Sequence, residues 1–216
     1  MPFYDELVAA TQPARDEFIA IPIVQRALAG GVTREEYVAF LGQAYHHVRH
    51  TVPLLMACGG RLPDRIGWLR DAVAEYIAEE LGHERWILDD IAAADGDAAL
   101  VANAVPGPAT ELMVAYAYHV IDRGNPAGFF GMVFVLEGMS VALATKAAEA
   151  IRGHLGLPPA AFRYLTSHGS VDQQHVRFLE GLMNRLDDPA DRETVIHCAL
   201  RFYRLYGDVF RAISTY

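Results

Sequence analysis

Residues 127–150 read AGFFGMVFVLEGMSVALATKAAEA. This stretch constrains the fold more than any other. A helix apolar nearly all the way round belongs at the centre of a bundle, with other helices covering it on every side. One of its two carboxylates, Glu137, interrupts the most apolar part of the run, between Leu136 and Gly138. Moving an ionised carboxylate into such surroundings without a partner costs several kcal/mol or more, roughly. A buried carboxylate therefore takes up a proton or finds a cation. Gly138 removes a side chain beside it and allows close helix approach.

The covering helices are legible from 3.6-residue periodicity. Pro2 to about Ala20 reads as a first helix with a break or kink at Pro13, followed by a short helix from Pro22 that Gly30-Gly31 ends. Thr33-Arg-Glu-Glu36 is a capping box. The helix it starts is expected to run to about Cys58, with Tyr37, Leu41, Ala44, Val48, Val52 and Leu55 as its apolar stripe. Pro63 and Asp64 open a long helix to about Ala94, and the stretch from Asp95 to Pro108 reads as a loop with one helical turn inside. Further helices are expected over Thr110–Arg123, Pro126–Gly153, His168–Leu186 and from Asp188-Pro189 to the C-terminus, the last with aspartate at the N-cap. No strand pattern or internal repeat is present. The expectation is one all-α domain, residues 1–216, of about seven to nine helices.

Composition narrows the function. A formal charge of −9 with no basic cluster excludes nucleic acid as the main partner. Two distant cysteines, Cys58 and Cys198, fit neither a disulfide scaffold nor a zinc finger, and suit a reducing cytoplasm. No membrane span is expected, because Arg, Glu or His interrupts each apolar run, and the first residues lack a basic-then-apolar leader. The last helix carries Phe202, Tyr203, Tyr206 and Phe210, more aromatic surface than one core stripe needs, and points to a homodimer.

Two stretches offer cation sites for Glu137. Residues 165–178 read LTSHGSVDQQHVRF, and in a helix His168, Asp172 and His175 fall within about 60° of one another. The two imidazoles stand roughly 10 Å apart along the axis. That is long for one ion and suits two ions roughly 3.5–4 Å apart with the aspartate between. Gly169 weakens the first turn and places His168 at the helix start. Residues 78–89 read AEELGHERWILD, in which Glu80 and His83 form a Glu-x-x-His pair of the kind di-iron carboxylate bundles project inward. With Glu137 as the bridging candidate, the set has six members. The same residues also suit a buried polar network without metal.

Other residues are weighed against plainer roles. His46 and His50 lie opposite the apolar stripe and are expected to face solvent. His47 shares a flank with Phe40, Thr51 and Leu54 and is the candidate contact to a substrate. Phe129, Phe130, Met132 and Phe134 read as core, and Glu84-Arg85 and Asp89-Asp90 as a solvated helix face. Neither cysteine has an evident base beside it, as nucleophilic catalysis requires.

An all-α chain of this length with Glu80-Leu-Gly-His83, Glu137 in Leu-Glu-Gly, and His168-x-x-x-Asp172-x-x-His175 resembles the haem-oxygenase-like di-iron oxidases. These belong to the superfamily that also contains TenA/thiaminase II and pyrroloquinoline-quinone synthase. The resemblance implies a haem-oxygenase-like bundle and an oxidoreductase that activates O2 on one or two non-haem iron ions, manganese being possible. Its substrate would be a small organic molecule. The six residues then become metal ligands. The chain departs from the family's fullest pattern in lacking a clear seventh carboxylate on an early helix, and Glu79 is the candidate for that place. The alternatives are a TenA-like or quinone-synthase-like enzyme without metal, and a non-enzymatic protein that binds a small ligand or metal.

Overall fold

The computed structural model describes residues 1–213, the side chains of residues 168–174 excepted. The described residues form eleven α-helices and no strand. They are α1 (Phe3–Ile19), α2 (Pro22–Leu28), α3 (Arg34–Val48), α4 (Thr51–Arg61), α5 (Leu69–Glu80), α6 (His83–Ala93), α7 (Ala98–Asn103), α8 (Pro108–Arg123), α9 (Phe129–Leu155), α10 (Arg163–Met183) and α11 (Pro189–Ala212). Single 3₁₀ turns precede α5, α9 and α10.

The apolar stretch is α9, unbroken over 27 residues. It lies at the centre of the bundle, packed by α2, α8, α10 and α11. Phe130, Val135 and Ala148 on it are buried. Gly131 lets α11 approach closely: a Cβ there would meet the Val195 carbonyl oxygen and the Ala199 nitrogen at 2.7 Å. By length and composition this helix could cross a membrane, contrary to the expectation that charges would interrupt every such run; 56% of its most apolar window is buried in the bundle. Its apolar character is met by the core of the protein itself.

Several helix boundaries differ from the periodicity reading. The helix expected over Thr33–Cys58 is two helices, because α3 ends at Val48 and α4 begins at Thr51. The helix expected over Pro63–Ala94 is also two, separated at Leu81-Gly82. Apolar spacing continues across both breaks, so periodicity alone joins them. These two splits, with α7 in the stretch expected as a loop with one helical turn, give the eleven helices of the described residues. Pro13, by contrast, does not interrupt α1. It is exposed, as is Ala9, whose carbonyl loses its partner and can be hydrated instead. Helix α10 starts at Arg163, which puts His168 inside the helix and not at its start.

The capping signals hold. The Thr33 hydroxyl accepts from the Glu36 N–H at 3.1 Å, and the Glu36 carboxylate accepts from the Thr33 N–H at 2.9 Å. The Asp188 carboxylate accepts from the Ala190 N–H at 2.8 Å. Asp90 departs from the expected solvated face. It is fully buried, and its two oxygens accept the backbone N–H groups of Arg163 at 3.0 Å and Tyr164 at 2.8 Å. It thus caps α10 from α6. The aromatic surplus of α11 is also absorbed internally. Phe202 and Tyr203 are buried, and Tyr206 and Phe210 pack on Phe18 of α1 at 5.3 and 5.1 Å between ring centroids.

Candidate metal centre and its cavity

One turn of α5 begins the site. Tyr76, Glu79 and Glu80 share a helix face by their three- and four-residue spacing. The helix stops at Glu80. Leu81 turns extended, and Gly82 takes φ +92°, a left-handed conformation in which a Cβ is strained. His83 then opens α6, and its Nδ1 lies 3.0 Å from a Glu80 carboxylate oxygen. Glu80 and His83 are therefore neighbours across a helix break and not along one helix.

From the centre of the bundle α9 presents Glu137, whose side chain is 13% exposed. From α10 comes His175, 4% exposed. Its Nδ1 lies 3.5 Å from a Glu137 oxygen, and its Nε2 lies 2.6 Å from a Glu79 oxygen. One imidazole thus stands between two carboxylates from two different helices. Glu79, the candidate in the sequence for an additional ligand, is the carboxylate paired with His175. The side chains of His168 and Asp172 lie outside the described part of the structure.

Tyr76 is the member of the site that the sequence reading missed. Its hydroxyl is 3.5 Å from Glu137, and its ring packs edge-on against His175 with centroids 5.5 Å apart. Burial holds the phenol far above its ordinary pKa, and the charges of Glu137, Glu79 and Glu80 push it further. Three carboxylates therefore surround one phenol that stays protonated. Its spacing of three and four residues from Glu79 and Glu80 was the available signal.

A second set of contacts ties the site's helices together. The Trp86 ring packs against His83 with centroids 4.1 Å apart and planes tilted by 31°, and the Arg163 guanidinium lies 4.3 Å from the Trp86 ring. The chain His83–Trp86–Arg163 thus joins the start of α6 to the start of α10, beside the Asp90 cap.

Tyr76, Glu80 and Glu137 open onto one cavity of about 190 Å³ between α2, α3, α4, α9 and α11. Most of its wall is apolar, including Phe40, Leu54, Met132, Leu143 and Phe210. Phe129 and Met132, read as core, are buried and also face this space. His47 is buried, lines the cavity, and packs edge-on against Tyr206 at 5.9 Å. His46 does not face solvent as expected, and His50 is half-buried. His46 is buried on the opposite side of α3, and His50 Nδ1 lies 3.2 Å from the Tyr118 hydroxyl. Helices α6 and α8 both pack against α3, and His46 is buried among them.

Both thiols are buried away from this wall. Burial pushes the Cys58 thiol up to about 12 and also raises that of Cys198, so neither is a ready thiolate.

As they stand, the described His, Cys, Asp and Glu side chains form no group of three around one ion position. The donors pair with one another, as Glu79–His175–Glu137 and Glu80–His83. Their chemistry fits iron, which imidazole and carboxylate ligands together suit. The two carboxylates that flank the buried imidazole also bring negative charge that a cation would neutralise.

No curated protein matches the sequence. Among solved structures, a haem-oxygenase-like domain of unknown function from Shewanella denitrificans superposes with a TM-score of 0.88 at 22% identity, over 100% of this chain and 93% of that one. A TenA homologue from Pseudomonas syringae gives 0.84 at 10% identity, over 99% and 93%. Haem oxygenase-1 from the cyanobacterium Synechocystis, in complex with haem, gives 0.77 at 12% identity, over 100% and 93%. The fold is therefore haem-oxygenase-like, as the resemblance implies. Residues 38–207, most of the chain, match a single family, and the protein belongs to the iron-containing redox enzymes.

Proposed function

We propose that this protein is a non-haem, di-iron oxidoreductase that uses O2 on a small organic molecule. The observation that carries this reading is that Glu80 and Glu137, each paired with a histidine as Glu80–His83 and Glu137–His175–Glu79, both line one cavity whose wall is mostly apolar. Glu79, Glu80, His83, Glu137 and His175 would hold the iron, together with His168 and Asp172 on the basis of sequence. Iron there would supply the one-electron reduction of dioxygen, which side chains alone do not perform.

The chain's own residues have distinct tasks. Glu137 and Glu80 bring anionic oxygens into a region of low polarity, where they favour a cation strongly. The Tyr76 O–H, held protonated by its surroundings, can donate to Glu137 at 3.5 Å. Apolar walls exclude water and hold an organic substrate against Glu80 and Glu137. A cysteine-based reaction is disfavoured by the two buried, un-ionised thiols. Haem is disfavoured by the carboxylates on the wall.

The experiment is iron analysis of protein loaded with iron(II) without oxygen. The expected result is close to two irons per chain, with loss of iron in Glu137→Ala and His175→Ala while helical content is retained. Failure of the wild-type protein to hold iron under these conditions would sink the reading.

A further inference from the structure

We infer that the protein has a second small-molecule site, a cleft across α3 from the cavity described above, and that it takes a small uncharged amide whose carbonyl meets Gln43 and whose N–H meets His46. This inference is independent of the proposed iron site.

The first observation is that α3 stands between two spaces. His46 and His47 are adjacent, so at about 100° per residue they leave the helix on different sides. His47 lines the cavity that Glu80 and Glu137 share. His46 lines a separate cleft of about 390 Å³. Its other walls are residues 94–96, between α6 and α7, and Val101, Ala104 and Val105. Gln43 also lines the cleft and lies three residues before His46, which makes the two side chains neighbours on the helix surface. Ala39 and Gly42, beside them on α3, are small and leave the space over the pair open.

The second observation is that the pair is buried and unmatched. His46 is 4% exposed and Gln43 8%. The Gln43 carbonyl oxygen accepts from the Gly107 N–H at 3.0 Å and from the Thr110 hydroxyl at 2.6 Å. Those two donors fix the orientation of the amide, and its NH2 has no partner among the described residues. The ring nitrogens of His46 have no hydrogen-bond partner among the described residues either. None of these nitrogens is sealed from solvent, so they open onto the cleft that both residues line. A ligand that matches them recovers free energy that unmatched buried groups lose.

Chemistry then selects the ligand. Burial, with Arg49 and His50 nearby, lowers the His46 pKa, so the ring is neutral and offers one N–H and one acceptor nitrogen. Gln43 offers donors alone. Among the described lining residues the one cation is Arg34, already paired with Asp95 at 2.6 Å, and Glu35 adds a further negative charge. An anionic ligand would meet these carboxylates without a cation to receive it. One edge of an amide supplies what is needed: its carbonyl accepts from the Gln43 NH2, and its N–H donates to the acceptor nitrogen of His46. Val38, Val101 and Val105 give an aliphatic body apolar wall to pack on.

The test is a titration of nitrogen-15-labelled apo-protein with ε-caprolactam, following the Gln43 side-chain NH2 and the imidazole nitrogens by NMR. N-methylcaprolactam, which lacks the N–H, and hexanoate, which is anionic, are the comparison probes. Caprolactam should shift Gln43 and His46 saturably and leave His47 unmoved. The N-methyl compound should bind roughly tenfold more weakly, and hexanoate at least as weakly as that. His46→Phe keeps the ring's bulk and should weaken caprolactam by about tenfold. Gln43→Glu keeps an acceptor for Gly107 and Thr110 but removes the donor, and should do the same. Circular dichroism shows whether each variant is folded, and the ligand series decides the question without either. Absence of saturable shifts overturns the inference. So do equal binding of the N-methyl compound or of hexanoate, unchanged binding in a folded variant, and shifts at His47 in place of His46.

Discussion

Glu80 and Glu137 face the same cavity but are delivered to it in opposite ways. At the α5–α6 junction, a helix stops at Glu80, turns through Gly82 at φ +92° and restarts at His83. In α9, Glu137 rides on 27 uninterrupted helical residues. The junction is fastened by polar and aromatic contacts: Asp90 to the N-terminus of α10, and Trp86 between His83 and Arg163. The centre of α9 is held by apolar packing. Position is thus bought by backbone irregularity at one carboxylate and by burial at the other. The two should respond differently to substitution.

The largest effect is expected at Glu137. Glu137→Ala removes a carboxylate that helix packing does not need, so iron content should fall to background while thermal unfolding stays unchanged or moves upward. If Glu137 were instead a structural partner of His175 and Tyr76, the same variant would lose about 3–5 kcal/mol, because those groups would be left buried and unpaired. Unfolding and iron content measured on one preparation separate the two cases.

Next comes the fastening at the junction. Asp90→Ala leaves two backbone N–H groups of α10 without their acceptor, each unsatisfied group costing about 1–3 kcal/mol. Asp90→Asn keeps an acceptor oxygen and should lose less. Burial raises the Asp90 carboxyl to about 6, against the pull of the two N–H donors. The folded pKa lies above the unfolded one, so this group's contribution is fully present below about pH 4 and is lost as pH rises through about 6. Urea midpoints at pH 4.5 and 7 should therefore show the wild type gaining on Asp90→Asn at the lower pH. An unchanged difference between the two proteins would remove Asp90 from this role.

The smallest effects form the sharpest contrast, because they compare two glycines. A Cβ at either Gly82 or Gly138 would meet open space. Backbone conformation alone therefore decides the sign. Gly82→Ala should destabilise by about 1–2 kcal/mol, since a non-glycine residue resists the left-handed region. Gly138→Ala, in the interior of α9, should stabilise by roughly 0.5–1 kcal/mol. For a chain of this size, each corresponds to a few degrees of melting temperature, about 2–4 °C per kcal/mol. Shifts of the same sign would mean that local packing and not backbone geometry governs both positions.

Local rules predicted what local chemistry controls. The Thr33 capping box, the Asp188 cap and the central position of α9 follow from side-chain type and spacing, and the structure carries all three. The breaks at Arg49-His50 and Leu81-Gly82 did not, because apolar residues face the core on both sides of each break. Gly82 was visible, but a glycine within a helical pattern is only sometimes a break. Asp90 was misread for a similar reason. Next to Asp89 it looks like surface, and only the approach of the α10 N-terminus makes it a buried cap. Tyr76 could have been found from its spacing to Glu79 and Glu80; its contact with Glu137 could not.

By itself, then, the sequence determined an all-helical chain with an apolar centre, a carboxylate obliged to find a partner, and histidine–carboxylate spacings able to supply one. These follow from the costs of burying charge and from helical periodicity, which act within a few residues. Tertiary structure alone decided which donors meet. Glu79 pairs with His175 across 96 positions of chain, and Glu137 reaches the same imidazole from a third helix. It also decided that the space beside them continues along α9, because a cavity belongs to no helix: it is what remains where the faces of several fail to touch.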